Sequence, residues 1–406
     1  MRSVVWCVAV FVMACGGDSG GDDSSDDDFA LVAPDSPDAV VAYREGNVGP
    51  WTVLQGTAGK YTLPTEPSGR FTIAVMCALD SAPRVDLYEL RPGDVGELLH
   101  TQPCRSTGAT ISGSLTNVAP GARTYGLFAG SARQSDGAYT VDARAGGDVV
   151  AAHNTPDSMA LATLSDRVVI RRNVTGPVDL DLAAPDAVTT QRFSVGAIIS
   201  LTSGFGRGRS ELITANGTRA TLSDAIHLAT GGIEVTTLPA SALAPGELQL
   251  VTTFVMPSST DVVPMVQIEE RAARELTRIQ PALAKEPGAR PVVGWDGFAP
   301  YVLVRAYWKP KAADVYRVVF EAGSVSWTIT TTHPSFDDEG GASWVVPDLS
   351  GVPGWNPMLG FRLLVNVGYT ATARAGAPLA QLVQLRPTIE TTIQSVGYSG
   401  TIRPSP

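Results

Sequence analysis

The chain has 406 residues and a formal net charge of −10, with 44% apolar and 17% charged side chains. This apolar content is enough for a buried core and excludes a globally disordered chain. The negative charge argues against a nucleic-acid partner, whose phosphates require a basic face. The 41 glycines and 29 prolines favour short strands joined by tight turns over long charged helices. The sequence therefore predicts an all-β protein.

Residues 1–14 have the pattern of a bacterial signal peptide. Arg2 gives a basic start, and 4–14 is an apolar run too short to span a bilayer as a helix, which takes about 20 residues. The run ends in VMAC at 12–15, which resembles the bacterial lipobox. The resemblance implies cleavage before Cys15 and acyl chains on its sulfur and amino group, which would hold the protein to a lipid bilayer. An ordinary secretory signal followed by a chance cysteine is the alternative.

Residues 15–29 predict a lipidated, disordered tether. The segment is rich in Gly, Ser and Asp, offers almost no apolar surface to bury, and carries six aspartates that repel one another. Gly16 stands where an Asp would indicate inner-membrane retention, so we expect an outer-membrane lipoprotein of the cell envelope. The order of signal peptide, acidic tether and β-rich body resembles the β-rich lipoproteins of myxobacteria, an architectural likeness that implies no activity.

Two cysteines remain in the exported body, because Cys7 leaves with the signal peptide and Cys15 takes the lipid. An oxidising envelope favours a disulfide between Cys77 and Cys104. Two buried free thiols are the alternative. A zinc site is disfavoured, since two cysteines 27 residues apart do not have the short spacing of zinc ligands.

Residues 30–108 predict a first β-sandwich module. Apolar residues alternate with polar ones, and Pro and Gly clusters separate the alternating segments. The predicted strands are 39–43, 51–54, 60–63, 70–77 and 84–90.

Residues 109–185 predict a second β-sandwich module. It opens with ISGSL at 111–115, followed by GAYTV at 137–141 and a Gly-rich turn and strand at 146–151. These segments resemble the carboxypeptidase-regulatory-like (transthyretin-like) β-sandwich. The resemblance implies a non-catalytic module and assigns no functional residue. The predicted strands are 110–115, 124–128, 138–143, 148–152, 167–170 and 178–182.

Residues 186–291 predict a further β-rich module that contains one ambiguous segment. Residues 204–209 (GFGRGR) predict a mobile hairpin tip, with contact to an anionic glycan or lipid headgroup as the sharper alternative. Apolar spacing over 269–280 predicts the one helix of the chain, ended by Pro281, although an extended conformation is an open alternative. The predicted strands are 192–195, 197–202, 210–214, 218–222, 232–238 and 248–255.

Residues 292–406 predict a C-terminal, Trp-rich β-sandwich. Its tryptophans either fill the core or, more specifically, stack on the apolar faces of sugars. Trp355 is the best candidate for ligand binding, because it lies in the turn-rich segment 351–357. The predicted strands are 301–308, 315–320, 324–331, 342–346, 361–369 and 389–393.

The sequence contains no recognisable catalytic motif and predicts no cofactor or metal. The densest group of ionisable residues is His333 with Asp337, Asp338 and Glu339. Oxygen ligands in a loop of this kind could bind a divalent cation, and a polar hairpin loop is the alternative. We therefore expect a membrane-anchored envelope lipoprotein with a non-catalytic binding or structural role. Cell-envelope polysaccharide, contacted through the C-terminal module, or another envelope protein is the expected partner. The alternative is an envelope hydrolase with an active site near His333.

Overall fold

The structure is a computed structural model. It describes residues 29–32, 39–46, 49–57, 59–63, 68–77, 83–100, 110–118, 122–125, 132–134, 136–142, 147–157, 162–195, 204–227, 233–257, 265–276, 292–297, 303–309, 313–322, 325–332, 334, 340–355, 365–375, 379–384 and 389–402.

Strands account for 65% of the described residues and helices for 4%, which confirms the all-β prediction. The strands of the N-terminal half are β1 (Ala30–Val32), β2 (Ala39–Glu45), β3 (Thr52–Val53), β4 (Lys60–Thr62), β5 (Phe71–Cys77), β6 (Arg84–Leu90), β7 (Glu97–Leu99), β8 (Thr110–Thr116), β9 (Ala122–Tyr125), β10 (Ala132–Gln134), β11 (Gly137–Asp142), β12 (Gly147–Asp157), β13 (Ala162–Val174), β14 (Leu180–Asp181), β15 (Val188–Thr189) and β16 (Gln191–Val195).

The C-terminal half contains the remaining strands, one 3-10 helix at Ala240–Ala242 and the short helix α1 (Leu379–Gln384). These strands are β17 (Gly204–Ile213), β18 (Arg219–His227), β19 (Ile233–Thr237), β20 (Leu248–Pro257), β21 (Met265–Ala273), β22 (Val292–Gly297), β23 (Leu303–Trp308), β24 (Val315–Ala322), β25 (Val325–Thr331), β26 (Ala342–Val345), β27 (Val365–Ala375) and β28 (Thr391–Ile402).

A main sheet runs through all four predicted modules as a continuous series of hydrogen-bonded neighbours. Its strand order is β10–β9–β12–β13–β18–β17–β20–β21–β28–β27–β24–β25–β6–β5–β2–β3. All of these pairs are antiparallel except β25 with β6, where Ser326 pairs with Arg84 and Thr331 with Glu89. The parallel pair joins the predicted N-terminal module directly to the predicted C-terminal one. The proposed module boundaries themselves stay a prediction.

Smaller layers cover the two faces of the main sheet at β2, β5, β6, β24 and β25. One face, which we call the α1 face, carries Val41, Ile73 and Val315 and packs against α1 and the β4–β1–β7 sheet. The opposite face, which we call the β23 face, carries Val318 and Trp327 and packs against the β22–β23–β26 sheet. Alternation along each strand therefore gives two apolar cores, one on each side.

The segment with the carboxypeptidase-regulatory-like resemblance has two layers around its own core. β8 pairs with β11 and β14, and their buried side chains meet those of the β12–β13 hairpin. The motif glycine, Gly113, lets the chain at Val178 approach closely: the Val178 amide donates to the Ser112 carbonyl at 3.0 Å. The motif tyrosine, Tyr139, donates its hydroxyl to the Val178 carbonyl at 2.5 Å. Both motif residues thus have structural roles.

The helix prediction for 269–280 is wrong over the described part of that segment. Residues up to Ala273 belong to β21, which is hydrogen-bonded to β20 on one side and to β28 on the other. Pairing on both edges satisfies the backbone along its length, so the extended alternative is correct for 269–273. Residues 277–280 lie outside the described residues.

The loop prediction for 204–209 is also wrong, because these residues form the first part of β17, paired with β18 and β20. Gly208 is buried, and a Cβ atom there would lie 2.6 Å from Ile233 Cγ2. The glycine therefore permits close packing of β19 on the sheet. Arg207 donates to Asp224 through Nε at 2.7 Å and also through Nη2, so this arginine already has a protein partner.

We predict that Gly113→Ala strongly destabilises the protein, because the new Cβ would lie 1.8 Å from the Val178 carbonyl oxygen. The expected loss in the free energy of unfolding is about 3 kcal/mol or more, measured by chemical denaturation. Gly176→Ala is the matched control, since a Cβ at Gly176 meets nothing within 4 Å. A Gly113→Ala variant as stable as the Gly176→Ala control would contradict the close approach described here.

Candidate functional site

Charged and aromatic polar side chains of β6 form a cluster on the α1 face. Alternation places Arg84, Asp86 and Tyr88 on one side of the strand. The buried His100, just after β7, has Nδ1 2.9 Å from the Tyr88 hydroxyl and Nε2 3.6 Å from Asp86 Oδ2. Arg84 Nε donates to the same Asp86 oxygen at 3.0 Å. The histidine therefore lies between a phenol and a carboxylate.

Arg317 extends this cluster across the sheet to α1. It pairs in register with Thr330, which pairs with Tyr88, so the three side chains share the α1 face. Arg317 Nε donates to Thr330 Oγ1 at 3.2 Å, and its Nη2 donates to the carbonyls of Leu382 and Val383 at 3.3 and 3.4 Å. An arginine at the C-terminal end of a short helix satisfies carbonyls that the helix leaves open. Arg317 thereby attaches α1 to the sheet.

A second group of charges lies further along the same face, on β17, β18 and β21. Glu211 is almost fully buried and accepts from Arg209 Nη2 at 2.7 Å and from Arg219 Nη2 at 2.6 Å. The registers of β24, β27, β28 and β21 place Glu270 on the same face as Arg317. The α1 face therefore carries charged side chains of both signs on β18, β17, β21, β24 and β6.

The pKa directions follow from burial, opposed by these neighbours. Burial raises the pKa of Tyr88, with a further rise from Asp86, while Arg317 opposes the shift. Burial lowers the pKa of Arg317, and Tyr88, Glu270 and Asp86 oppose that change. Burial raises the pKa of Glu270 against the attraction of Arg219 and Arg317. Arg317 and Glu270 thus depend on their opposite charges to remain ionised on the α1 face, whereas Tyr88 is neutral.

The Tyr88–His100–Asp86 arrangement has the order of a nucleophile, a base and an orienting carboxylate. Burial raises the pKa of Tyr88, so its phenol is neutral, and its hydroxyl lies 2.9 Å from His100 Nδ1. A neutral phenol in this place is a hydrogen-bonding group that ties β7 to β6. These contacts attach the β4–β1–β7 sheet to the main sheet.

The residues named from sequence are placed as follows. Trp355 is half-buried, and its ring lies 6.0 Å from the fully buried Trp327, so part of its surface packs into the β23-face core. Trp344 is also buried in this core, as the core-filling alternative predicts. Cys77 is fully buried at the end of β5. Other residues named from sequence lie outside the described residues: Cys15, Cys104, His333, Asp337 and Asp338.

Sequence reasoning did not identify the α1-face charges as one group. The available signal was local: RVDLYEL at 84–90 places polar groups at every second position of a strand between apolar ones. Such alternation indicates a strand with a polar side. It does not indicate that Arg317 and Glu270 lie on the same face, because that depends on long-range pairing.

In the part of the chain that the structure describes, no helix is long and apolar enough to cross a membrane. Within the same residues, no three or more His, Cys, Asp or Glu side chains are grouped to hold a metal ion. No protein-family model matches the chain, and no curated protein has a matching sequence.

We predict that Glu270→Gln changes how stability depends on pH. In the folded state the pKa of Glu270 is raised above 4.5, the usual value that applies to the unfolded chain. Between the unfolded-state pKa and the folded-state pKa, the folded protein therefore binds more protons than the unfolded one. This group therefore makes stability fall as pH rises through that window. Relative to wild type, the Gln variant should gain stability in denaturation curves as the pH rises above 4.5.

Glu275 provides a control, because it is exposed on the bend that follows β21. Glu275→Gln also removes one negative charge, but at a position in contact with solvent. A Glu270→Gln variant whose stability difference from wild type is constant with pH, or moves the other way, would contradict the described burial of this carboxylate.

Proposed function

We propose that the protein is a lipid-anchored envelope lipoprotein with a non-catalytic, structural or binding role. Acyl chains on Cys15 would hold it to the outer membrane, and residues 16–29 would separate the folded body from the lipid. The observation that carries the proposal is the position of β1, which begins at Ala30, directly after the predicted tether.

The chain is joined to the core as soon as the tether ends. The Phe29 ring lies edge-on to Phe71 at 5.2 Å, and Leu31 is fully buried. β1 is the central strand of the β4–β1–β7 sheet, so both of its edges are hydrogen-bonded. A body attached this firmly at its first residues is suited to being held by its N-terminus.

The non-catalytic role is supported by the use of ionisable side chains. Arg317, Glu211 and Asp86 each contact other parts of the fold, and these contacts fix strands and α1 in place. A disulfide between Cys77 and Cys104 belongs to the same proposal. A bridge that closes the loop from Cys77 to Cys104 would raise the free energy of unfolding by roughly 3 kcal/mol in the chain-entropy model.

Glycan contact through the C-terminal module is the more specific form of the proposal. Trp355 is supported by its partial exposure beside the turn at Gly354. Contact with Trp327, at an interplanar angle of 56°, restricts the movement of the Trp355 indole, which lowers the entropy cost of stacking a sugar on it.

We predict that Cys15→Ser abolishes lipidation. Cells fed an alkyne-tagged fatty acid should label the wild-type protein and leave the variant unlabelled, because the thiol that accepts the diacylglyceryl group is lost. Cys7→Ser is the matched control, since that cysteine lies in the predicted signal peptide and its loss should leave labelling intact. Label on the Cys15→Ser protein, or none on wild type, would refute the proposed anchor.

We predict that wild-type protein binds envelope glycans on an array and that Trp355→Ala loses at least tenfold in affinity. Leu349→Ala is the control, because Leu349 is buried in the same core and its truncation costs about 2–5 kcal/mol while leaving the indole in place. Binding retained by Trp355→Ala, or lost equally in both variants, would argue against recognition by this ring.

A further inference from the structure

A polar row crosses one end of the β23 face, where apolar residues otherwise dominate. Arg44 on β2 pairs in register with Thr72 on β5, Thr72 pairs with Glu89 on β6, and Glu89 pairs with Thr331 on β25. Directly paired residues point to the same side of a sheet, with neighbouring Cβ atoms about 4.5–5.5 Å apart. The Arg44 guanidinium also lies over the Trp51 ring, 4.5 Å from its centroid.

Two hydrogen-bond donors in this row are buried without a partner among the described residues. They are the Thr72 hydroxyl, on a residue that is 1% exposed, and Nε of Arg44. Buried polar groups in folded proteins are almost always hydrogen-bonded to protein, water or ligand. Because these two donors belong to directly paired residues, a single oxygen atom between them can accept from both.

The charges around the two donors select the kind of oxygen. Glu89 accepts a hydrogen bond from Thr331 and is attracted by Arg70 and Arg44, while burial raises its pKa. An anion placed between Arg44 and Thr72 would be repelled by the Glu89 carboxylate, and a cation would be repelled by Arg44. A neutral hydroxyl accepts two hydrogen bonds and donates one, which matches two donors beside one carboxylate.

We propose that Arg44, Thr72 and Glu89 form a binding site for one neutral hydroxyl oxygen, supplied by a water molecule or by a polyol such as a saccharide. The oxygen accepts from Arg44 Nε and the Thr72 hydroxyl, and donates to Glu89. Trp51 restricts the movement of the Arg44 guanidinium and so fixes the direction of its donor. This site does not depend on the proposed anchor or on Trp355.

The direct test is a high-resolution crystal structure of the mature protein. We expect an isolated density peak within hydrogen-bonding distance, about 2.7–3.2 Å, of both Arg44 Nε and Thr72 Oγ1. A dry site, in which Arg44 Nε contacts Glu89 directly, would overturn the proposal. So would a phosphate or sulfate ion bound there, since the charge argument excludes an anion.

A second test uses melting temperatures. Thr72→Val keeps the shape of the side chain but removes one donor to the bound hydroxyl, so we expect the melting temperature to fall by about 2 °C, with Thr72→Ser closer to wild type. Thr124→Val is the matched control. Thr124 is fully buried, its hydroxyl has no partner among the described residues, and it pairs in register with Ala132 and Ala151.

The melting temperature of the control should fall less than that of Thr72→Val, because Thr124 is paired with two alanines, whose side chains offer no second donor or charged group to hold a shared oxygen. Equal changes in Thr72→Val and Thr124→Val would overturn the hydroxyl site. Titration with glycerol and N-acetylglucosamine then separates the two sources. A melting-temperature increase in wild type that is absent in Thr72→Val assigns the hydroxyl to a polyol, and no increase together with the density peak assigns it to water.

Discussion

The parallel pairing of β6 with β25 is the constraint on which the rest of the structure depends. It joins two segments that lie at opposite ends of the chain, and its register sets Tyr88 beside Thr330 and Val85 beside Trp327. A parallel pair needs a long connection, and closing it is entropically unfavourable until further contacts form. Here the further contacts are the two cores, each of which joins residues of β5 and β6 to residues of β24.

Side chains on both faces of the sheet fix the register of the β6–β25 pair. A shift by one residue would exchange Tyr88, which contacts His100, with Leu87, which belongs to the apolar core of the β23 face. Such a slip would bury charge in one core and expose apolar surface in the other. The buried charges therefore favour one register over its alternatives, even where the cost of desolvating the charges offsets much of their attraction. Arg317 illustrates this, since it contacts α1 only when β24 and β25 are correctly paired.

Local patterns predicted the strands well where alternation was strong and both ends had turn residues. β6 was predicted with its observed bounds, and β5 to within one residue. Prediction failed where local signals conflicted with pairing. The apolar spacing around Ala272 fits a helix, yet β20 and β28 hold that segment extended. The glycines of 204–209 predict a hairpin tip, yet Gly208 lies inside a strand, where a side chain would collide with Ile233.

The candidate sites could not be predicted for a related reason. Arg44, Thr72 and Glu89 are ordinary strand residues in the sequence, and only the order β2–β5–β6 places them in one row. The same holds for Arg317 and Glu270, whose common face is defined through β27 and β28. In an antiparallel sheet built from distant segments, neighbouring side chains are determined by strand order, and a single sequence contains little information on that order.

β1 attaches the segment that follows the predicted tether to the core of the protein. Phe29 and Leu31 enter the α1-face core immediately after the predicted tether, so any force on the N-terminus reaches the body through β1. This strand pairs with β4 on one side and β7 on the other, and His100, which follows β7, contacts Tyr88 on the main sheet. β1 is therefore connected through β7 and His100 to β6, the strand whose parallel pairing joins distant parts of the chain.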